Sequence, residues 1–253
     1  MHTRNGTFLA RHVIHATNAY ASHLLPKLKD LIVPVRAHMT AQRPGAHFPR
    51  VSGGRSWSVI YGSGFDYVTQ RPSADGTGDL LVGGGWARSP TRGADAIGVS
   101  DDSEVEPVTV RYLEGILPTL FEPNWGMGSG VDMAWSGIIA VTPDTLPFVG
   151  KLNPIVTERP PGKGVPGDRA GAAEWIAAGF NGEGMVFAFL SGVALAALVA
   201  GRGSQMEVQR PGVPSGRVAE WFPKELYVSE ERLRGSVRRD PEGLFSCAAF
   251  TGK

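Results

Sequence analysis

The sequence predicts a mixed α/β fold in which a layer of strand-to-helix units is interrupted by an antiparallel sheet. Three observations predict it. Residues 8–35 and 141–201 each carry an apolar strand-like run that leads into a helix. The stretch between them alternates short β-like runs with glycine turns and holds one amphipathic helix. The segment Ala178-Gly179-Phe180-Asn181-Gly182-Glu183-Gly184-Met185 leaves an apolar strand, turns on glycines and opens a long small-residue helix. Such a backbone can press against a flat or anionic ligand. Glycine has no Cβ to hold the ligand off, and the free N–H groups of a helix start point outward. The alternation fits a nucleotide-binding layer interrupted by a substrate layer.

Along the chain, Gly6 marks a hairpin turn, and Thr7 to Ala16 reads as a strand that becomes fully apolar at its end. A short helix is expected from about Ala19 to Lys27, stopped near Pro26. Leu31 to Arg36 is extended, because a residue before proline avoids the α region. Ser58-Val59-Ile60-Tyr61 and Tyr67-Val68-Thr69-Gln70 read as a hairpin around Gly62-Ser63-Gly64, and Asp75 to Gly78 as a second turn. Asp79 to Trp86 is a strand ending in glycines. Val105, Val108, Leu113, Ile116, Leu117 and Leu120 mark an amphipathic helix over 103–121, with Asp101-Asp102-Ser103 as its cap region. Asp132 to Val141 is another strand. The Pro- and Gly-rich stretch 154–171 is a surface insertion, and the charged C-terminal residues form a tail whose first half docks through Trp221, Phe222 and Tyr227. The basic run from Arg232 to Arg239 reads as solvated.

Bulk properties exclude several classes. At 253 residues and 42% hydrophobic, the chain has enough for one large domain or two small ones. A net charge of +1 points to neither nucleic acid nor an acidic membrane. The lone Cys247 allows no internal disulfide and no cysteine metal site. The six histidines, gathered in the first fifty residues, offer no pair on one helix face, so no metal is expected. The N-terminal residues lack an apolar secretory region and Thr251-Gly252-Lys253 is no peroxisomal address, which places the protein in the cytoplasm. The apolar run from Gly184 to Ala200 is 17 residues long, at the short limit for spanning a bilayer, and Ser191 and Gly192 interrupt it. It reads as a buried helix, not a membrane span.

The glycine motif Gly182-Glu183-Gly184-Met185-Val186-Phe187 opens like a dinucleotide fingerprint but has Phe at the third glycine position and comes late in the chain. On its own it also reads as an ordinary helix start. Gly83-Gly84-Gly85 and Gly126 to Gly130 precede no helix pattern and suit turns or close packing. No Ser-His-Asp or Cys-His arrangement can be argued. No catalytic residue is assigned; Arg36, Tyr61 and Trp135 are candidates, though such residues more often serve structural roles.

Taken in order, Ala16-Thr17-Asn18-Ala19-Tyr20, Val33-Pro34-Val35-Arg36, Gln70-Arg71-Pro72, Leu80 to Gly85, Trp135-Ser136-Gly137, Thr142-Pro143-Asp144, Pro147-Phe148-Val149-Gly150 and the 178–185 segment resemble the FAD-dependent oxidoreductases of the D-amino-acid-oxidase type. The resemblance spans about residues 3–233. It implies a partial FAD-binding Rossmann-like layer interrupted by an antiparallel-sheet substrate domain. Residues 1–35 would be a remnant of the FAD-binding domain and 36–140 the substrate domain. Residues 141–204 would return to the FAD-binding domain, with the insertion 154–171, and 205–253 would be a C-terminal tail.

The reaction implied is oxidation of a small amine or amino acid by hydride transfer to the flavin, with oxygen as the usual acceptor. The cofactor contacts implied are Ala16, Thr17, Asn18, Pro147, Gly150, Asn181, Gly182, Glu183, Gly184 and Met185. A Cβ at Gly184 would push the backbone off the ring or demand a positive φ. Three departures stand out. The family's N-terminal fingerprint is absent, so the chain corresponds to a C-terminal portion. Glu183 stands where the family usually has His. No cysteine lies near Trp135–Thr142, so the FAD expected for the complete parent would be noncovalent. The alternative is a catalytically inactive remnant that serves as a binding module or has no function. The strand ending at Ala16 and the helix from Gly184 are apolar on nearly every side, which predicts an exposed apolar face open to self-association in the absence of neighbours.

Overall fold

The computed structural model describes residues 2–49, 51, 53–62, 64–74, 78–159 and 171–235. In chain order the strands and helices are a hairpin of β1 (His2–Thr3) and β2 (Gly6–Thr7), β3 (His12–His15), α1 (Ala21–Leu24), β4 (Val33–Arg43), β5 (Ser56–Tyr61), β6 (Gly64–Gln70), β7 (Leu80–Gly83), α2 (Pro107–Phe121), β8 (Gly130–Val141), β9 (Phe148–Lys151), α3 (Pro154–Thr157), β10 (Ala173–Ala178), α4 (Gly184–Val199), α5 (Val218–Trp221) and α6 (Glu230–Gly235). Among the described residues the chain divides into two compact units, one of residues 2–34 with 139–235 and one of 35–138. The fold is mixed α/β.

Unit one is built on the sheet order β3-β10-β9. β10 runs parallel to β3, from Ala173↔His12 to Ile176↔His15, and antiparallel to β9, from Trp175↔Lys151 to Ala178↔Phe148. Helix α4 follows β10 and packs on the sheet. Val149, Trp175, Ala194, Leu195 and Ala197 pack with Val218, Phe222 and Leu226 of the C-terminal segment. That segment also extends the sheet past β9: Tyr227 bridges Val149 in parallel, and the Val228 N–H donates to the Val149 carbonyl at 2.9 Å.

Several expectations need correction. The turn of the first hairpin is Arg4-Asn5, and Gly6 is the first residue of β2. The strand expected from Thr7 begins only at His12, because its partner β10 begins opposite, at Ala173. Neither it nor α4 is covered all round. Ile14 is half-exposed, and Met185, Val186 and Phe189 are 102%, 65% and 57% exposed, since the sheet packs against only one side of α4. The stretch 154–171 opens with α3, capped by the Asn153 side chain, and residues 160–170 lie outside the described residues. Arg232 is not solvated; it is largely enclosed and paired with Asp144. The rest of that basic run beyond Gly235, and Cys247, lie outside the described residues.

Unit two is a sheet of order β5-β6-β7-β4-β8. β5–β6, β6–β7 and β7–β4 pair antiparallel. The β5–β6 hairpin stands as the sequence predicts, though Ser63 of its turn and residues 75–77 of the second turn lie outside the described residues. Helix α2 lays Leu113, Ile116 and Leu117 on Val68, Leu80 and Val82 of the sheet, beside Phe48 and Trp125. It starts later than its sequence pattern suggests. Pro107 fixes the first helical φ, and the Glu106 side chain, not Asp101 to Ser103, accepts from the Val108 and Thr109 N–H groups.

Candidate functional site

Three sequence segments far apart in the chain interlock in unit one, and two asparagines join them. Asn18 adopts φ 45° just after β3, a left-handed conformation that asparagine tolerates. Its Oδ1 accepts from the Gly179 N–H at 3.0 Å and the Phe180 N–H at 3.1 Å. Asn181, at φ 54°, does the same for the other side. Its Oδ1 accepts from the Thr142 N–H at 2.8 Å, and its Nδ2 donates to Thr142 Oγ1 at 3.0 Å and to the Gly179 carbonyl at 2.7 Å. The Thr142 hydroxyl in turn donates to the Leu146 carbonyl at 3.0 Å. The segments 16–20, 142–150 and 178–185 are thereby one hydrogen-bonded assembly.

This assembly stands at the carboxyl ends of the parallel strands β3 and β10, the end at which open α/β sheets receive ligands. Ala16, Thr17, Gly182, Glu183 and Met185 are exposed there, and Asn18, Asn181 and Gly184 are half-buried. Helix α4 begins at Gly184 with no side-chain cap, and no described residue accepts from the N–H groups of Gly184 or Met185. They and the helix dipole supply partial positive charge toward the exposed side. Glu183 turns its side chain to solvent. Nothing lies within 4 Å of a Cβ built on Gly182, and only Phe180 Cβ, at 4.0 Å, approaches one built on Gly184.

The glycine constraint therefore differs from expectation. Gly184 is an ordinary first helical residue with open space, whereas Gly182 (φ 82°) and Gly179 (φ 81°) hold the left-handed conformation. A Cβ on Gly179 would also stand 2.6 Å from Thr142 Cγ2. Pro147 and Gly150 are buried and support the turn from within; the Pro147 carbonyl accepts from Arg232, and Gly150 sits in β9 opposite Ile176.

Arg36, Tyr61 and Trp135 all belong to unit two. Tyr61 ends the edge strand β5, Trp135 lies on the opposite edge strand β8, and Arg36 is on β4 between β7 and β8. The Arg36 carbonyl accepts from Trp86 Nε1 at 2.9 Å. Tyr61 belongs to a cluster that the sequence did not reveal. Asp66 is fully buried and accepts from Tyr61 at 3.2 Å, Tyr112 at 2.7 Å and the Gly85 N–H at 2.6 Å. Arg88 lies 4.5 Å over the Tyr61 ring. Burial, then the Asp66 charge and hydrogen bond, push the Tyr61 hydroxyl above its usual range, and burial together with the Asp66 hydrogen bond does so more strongly for Tyr112. The glycine triplet 83–85 was the available signal: a Cβ on Gly84 would lie 2.3 Å from Asp66 Oδ1, so only glycine lets the chain fold over the carboxylate.

The sequence model of the FAD-dependent oxidoreductase family matches residues 2–198. The chain belongs to that family. Among solved structures, this family member is similar to fructosyl amine:oxygen oxidoreductase (Amadoriase I) from Aspergillus fumigatus, with a TM-score of 0.57 and 14% identity, covering 95% of this chain and 49% of that one. It is also similar to L-proline dehydrogenase from P. horikoshii, with a TM-score of 0.51 and 22% identity, covering 78% of this chain and 45% of that one. At these identities the likeness is one of fold. The chain spans about half the length of the solved relatives it matches. A comparison with curated proteins returns no match. Among the described residues no helix is long and apolar enough to cross a membrane, and no cluster of side chains suits a metal ion.

Proposed function

We propose that this chain carries the ring-facing part of an FAD site in an oxidoreductase acting on a small amine or amino acid. The observation that carries the reading is the asparagine-locked assembly at the carboxyl ends of β3 and β10, with an uncapped helix start and open glycine backbone beside it. These residues fit a flat, electron-accepting ring. Gly182 and Gly184 leave room for close approach, and the free N–H groups with the α4 dipole favour negative charge beside them. Bound there, FAD supplies the hydride-accepting chemistry. Ala16, Thr17 and the 181–185 backbone would hold it, and Asn18 and Asn181 fix the loop so that no reorganisation is needed on binding. The exposed Glu183 carboxylate stays hydrated instead of opposing that charge.

Tyr61, Trp135 and Arg36 remain proposals for the substrate side, resting on the resemblance. The nucleotide half of FAD has no fingerprint in these residues, so ring contacts alone would give weak, noncovalent binding. The test is spectroscopic. Purified chain is incubated with FAD or with lumiflavin, the bare ring, and flavin fluorescence and retained absorbance are followed. The expected result is weak saturable quenching of similar midpoint for both ligands, reduced by Gly182→Val, and no stoichiometric FAD after desalting. Quenching by neither ligand overturns the reading; retention of one FAD per chain overturns the expectation that ring contacts alone hold it weakly.

A further inference from the structure

The basic run near the C-terminus contains one arginine with an unusual set of partners. Arg232, in α6, keeps only 12% of its side chain exposed. Its Nε and Nη2 donate to the two carboxylate oxygens of Asp144 at 2.7 and 3.1 Å, a bidentate pair. Nη2 also donates to the Leu146 carbonyl at 2.9 Å, and Nη1 to the carbonyls of Pro147 at 3.0 Å, Leu226 at 3.2 Å and Tyr227 at 3.4 Å. The guanidinium lies 4.1 Å over the ring of Phe148, itself almost wholly buried. One side chain thus ties the turn at 144–147 to the segment at 226–227. Arg232, Leu226 and Tyr227 lie beyond residue 198, where the family match ends, whereas the 144–148 turn lies within it.

The turn it grips is the one on which the glycine loop rests. The Leu146 carbonyl accepts both from Arg232 Nη2 and from the Thr142 hydroxyl, and Thr142 is held through its N–H and its Oγ1 by Asn181. Asp144 Oδ1, which Arg232 holds, accepts from the Leu146 N–H at 3.2 Å and closes the turn from within. A short hydrogen-bonded path therefore runs from Arg232 through Leu146 and Thr142 to Asn181. Lysine could not reproduce it, having no planar fork and only three donors. The bonds to Asp144, Leu146 and Pro147 reach the turn across 85 to 88 residues, whereas those to Leu226 and Tyr227 stay within its own segment.

We infer that Arg232 is a positioning residue: it sets the Thr142–Pro147 turn under Asn181 and so couples the C-terminal segment to the ring-facing loop. The role in flavin binding rests on the function proposed above; the coupling to the loop does not. Amide hydrogen exchange on the complete 253-residue chain, without flavin, tests the coupling. Arg232→Met is compared with Phe222→Leu, which loosens the same core away from the turn. The expected result for Arg232→Met is exchange at the Thr142 and Leu146 amides faster by about tenfold or more, with the β3–β10 ladder near its wild-type protection. Phe222→Leu should spare those two amides relative to its own core. Uniform acceleration in Arg232→Met, or wild-type protection at Thr142 and Leu146, overturns the inference. If Arg232→Met does not fold, Arg232→Lys keeps the charge without the fork and is read by the same two amides. Lumiflavin quenching is measured in parallel. Absence of quenching in the wild type defeats the functional reading, whereas an unchanged exchange pattern defeats this one.

Discussion

Glycine and asparagine carry the local geometry of the site, and the three glycines of the loop separate cleanly by cause. Gly179 combines a left-handed φ with a Cβ clash against Thr142, Gly182 has the left-handed φ alone, and Gly184 has neither. Alanine substitution should therefore destabilise in that order. The expected cost is about 1 kcal/mol at Gly182, more at Gly179, and within about 0.5 kcal/mol at Gly184. Urea midpoints of the three variants check it, and equal costs at Gly179 and Gly184 would refute the assignment. His38 supplies a pH dependence at the same scale. It is 3% exposed, and its Nε2 accepts from the Glu106 N–H at 2.9 Å, which requires a neutral ring with the proton on Nδ1. Burial first, then the Arg36 charge, lowers its pKa below the ordinary 6.5, against smaller opposing effects of Glu106 and Asp95. The unfolded chain consequently binds the proton more readily. The contribution of His38 to stability is fully present above pH 6.5 and is lost as pH falls below it toward the folded value. Urea midpoints measured from about pH 7 down to about pH 5 should fall, and His38→Gln should flatten that part of the curve.

The elements show how local chemistry and tertiary demand divide. Helix α2 was legible from its apolar spacing, but its start was set by Pro107 and by the Glu106 carboxylate reaching two free N–H groups. Glu106→Ala should cost about 1 kcal/mol, read as a lower melting temperature, while Asp101→Ala, five residues before that cap, should change little. Helix α4 shows the opposite case. It has no polar side to orient it, so its sequence does not say which face meets the sheet; Ala194, Leu195 and Ala197 turn inward and Met185, Val186 and Phe189 outward.

On the scale of the molecule, unit one is closed on one side and open on the other. Beyond β9 the C-terminal segment adds the Val149–Tyr227 bridge, whereas β3, the opposite edge, has β10 as its one partner among the described residues. Leu9, Ile14, Met185, Val186 and Phe189, all in this unit, are exposed. An unpaired edge together with exposed apolar side chains favours association. The purified chain should therefore elute from size exclusion as larger or polydisperse species and bind a hydrophobic dye. Val186→Lys with Phe189→Lys should reduce both at a stability cost of about 1 kcal/mol or less. A monodisperse wild-type monomer with little dye binding would show that the unit needs no further cover.

The sequence by itself determined the alternation of strands and helices, the β5–β6 hairpin, the start of α4 and the segments that carry the family likeness, among them the three that meet at the site. These rest on signals a few residues long: proline, glycine turns and apolar periods. The family match and the fold comparisons agree with that reading. Tertiary structure alone decided what joins the segments. Asn18 and Thr142 bond to residues 161 and 39 positions away, and Arg232 to Asp144 across 88. A basic residue in a charged run gives no local sign that it will be paired with a distant carboxylate. Likewise Asp66 reads as one more polar residue in an alternating strand until Tyr112 and the Gly84–Gly85 turn close over it. Side-chain hydrogen bonds between remote segments depend on geometry that the sheet register sets, and short-range pattern carries no record of it.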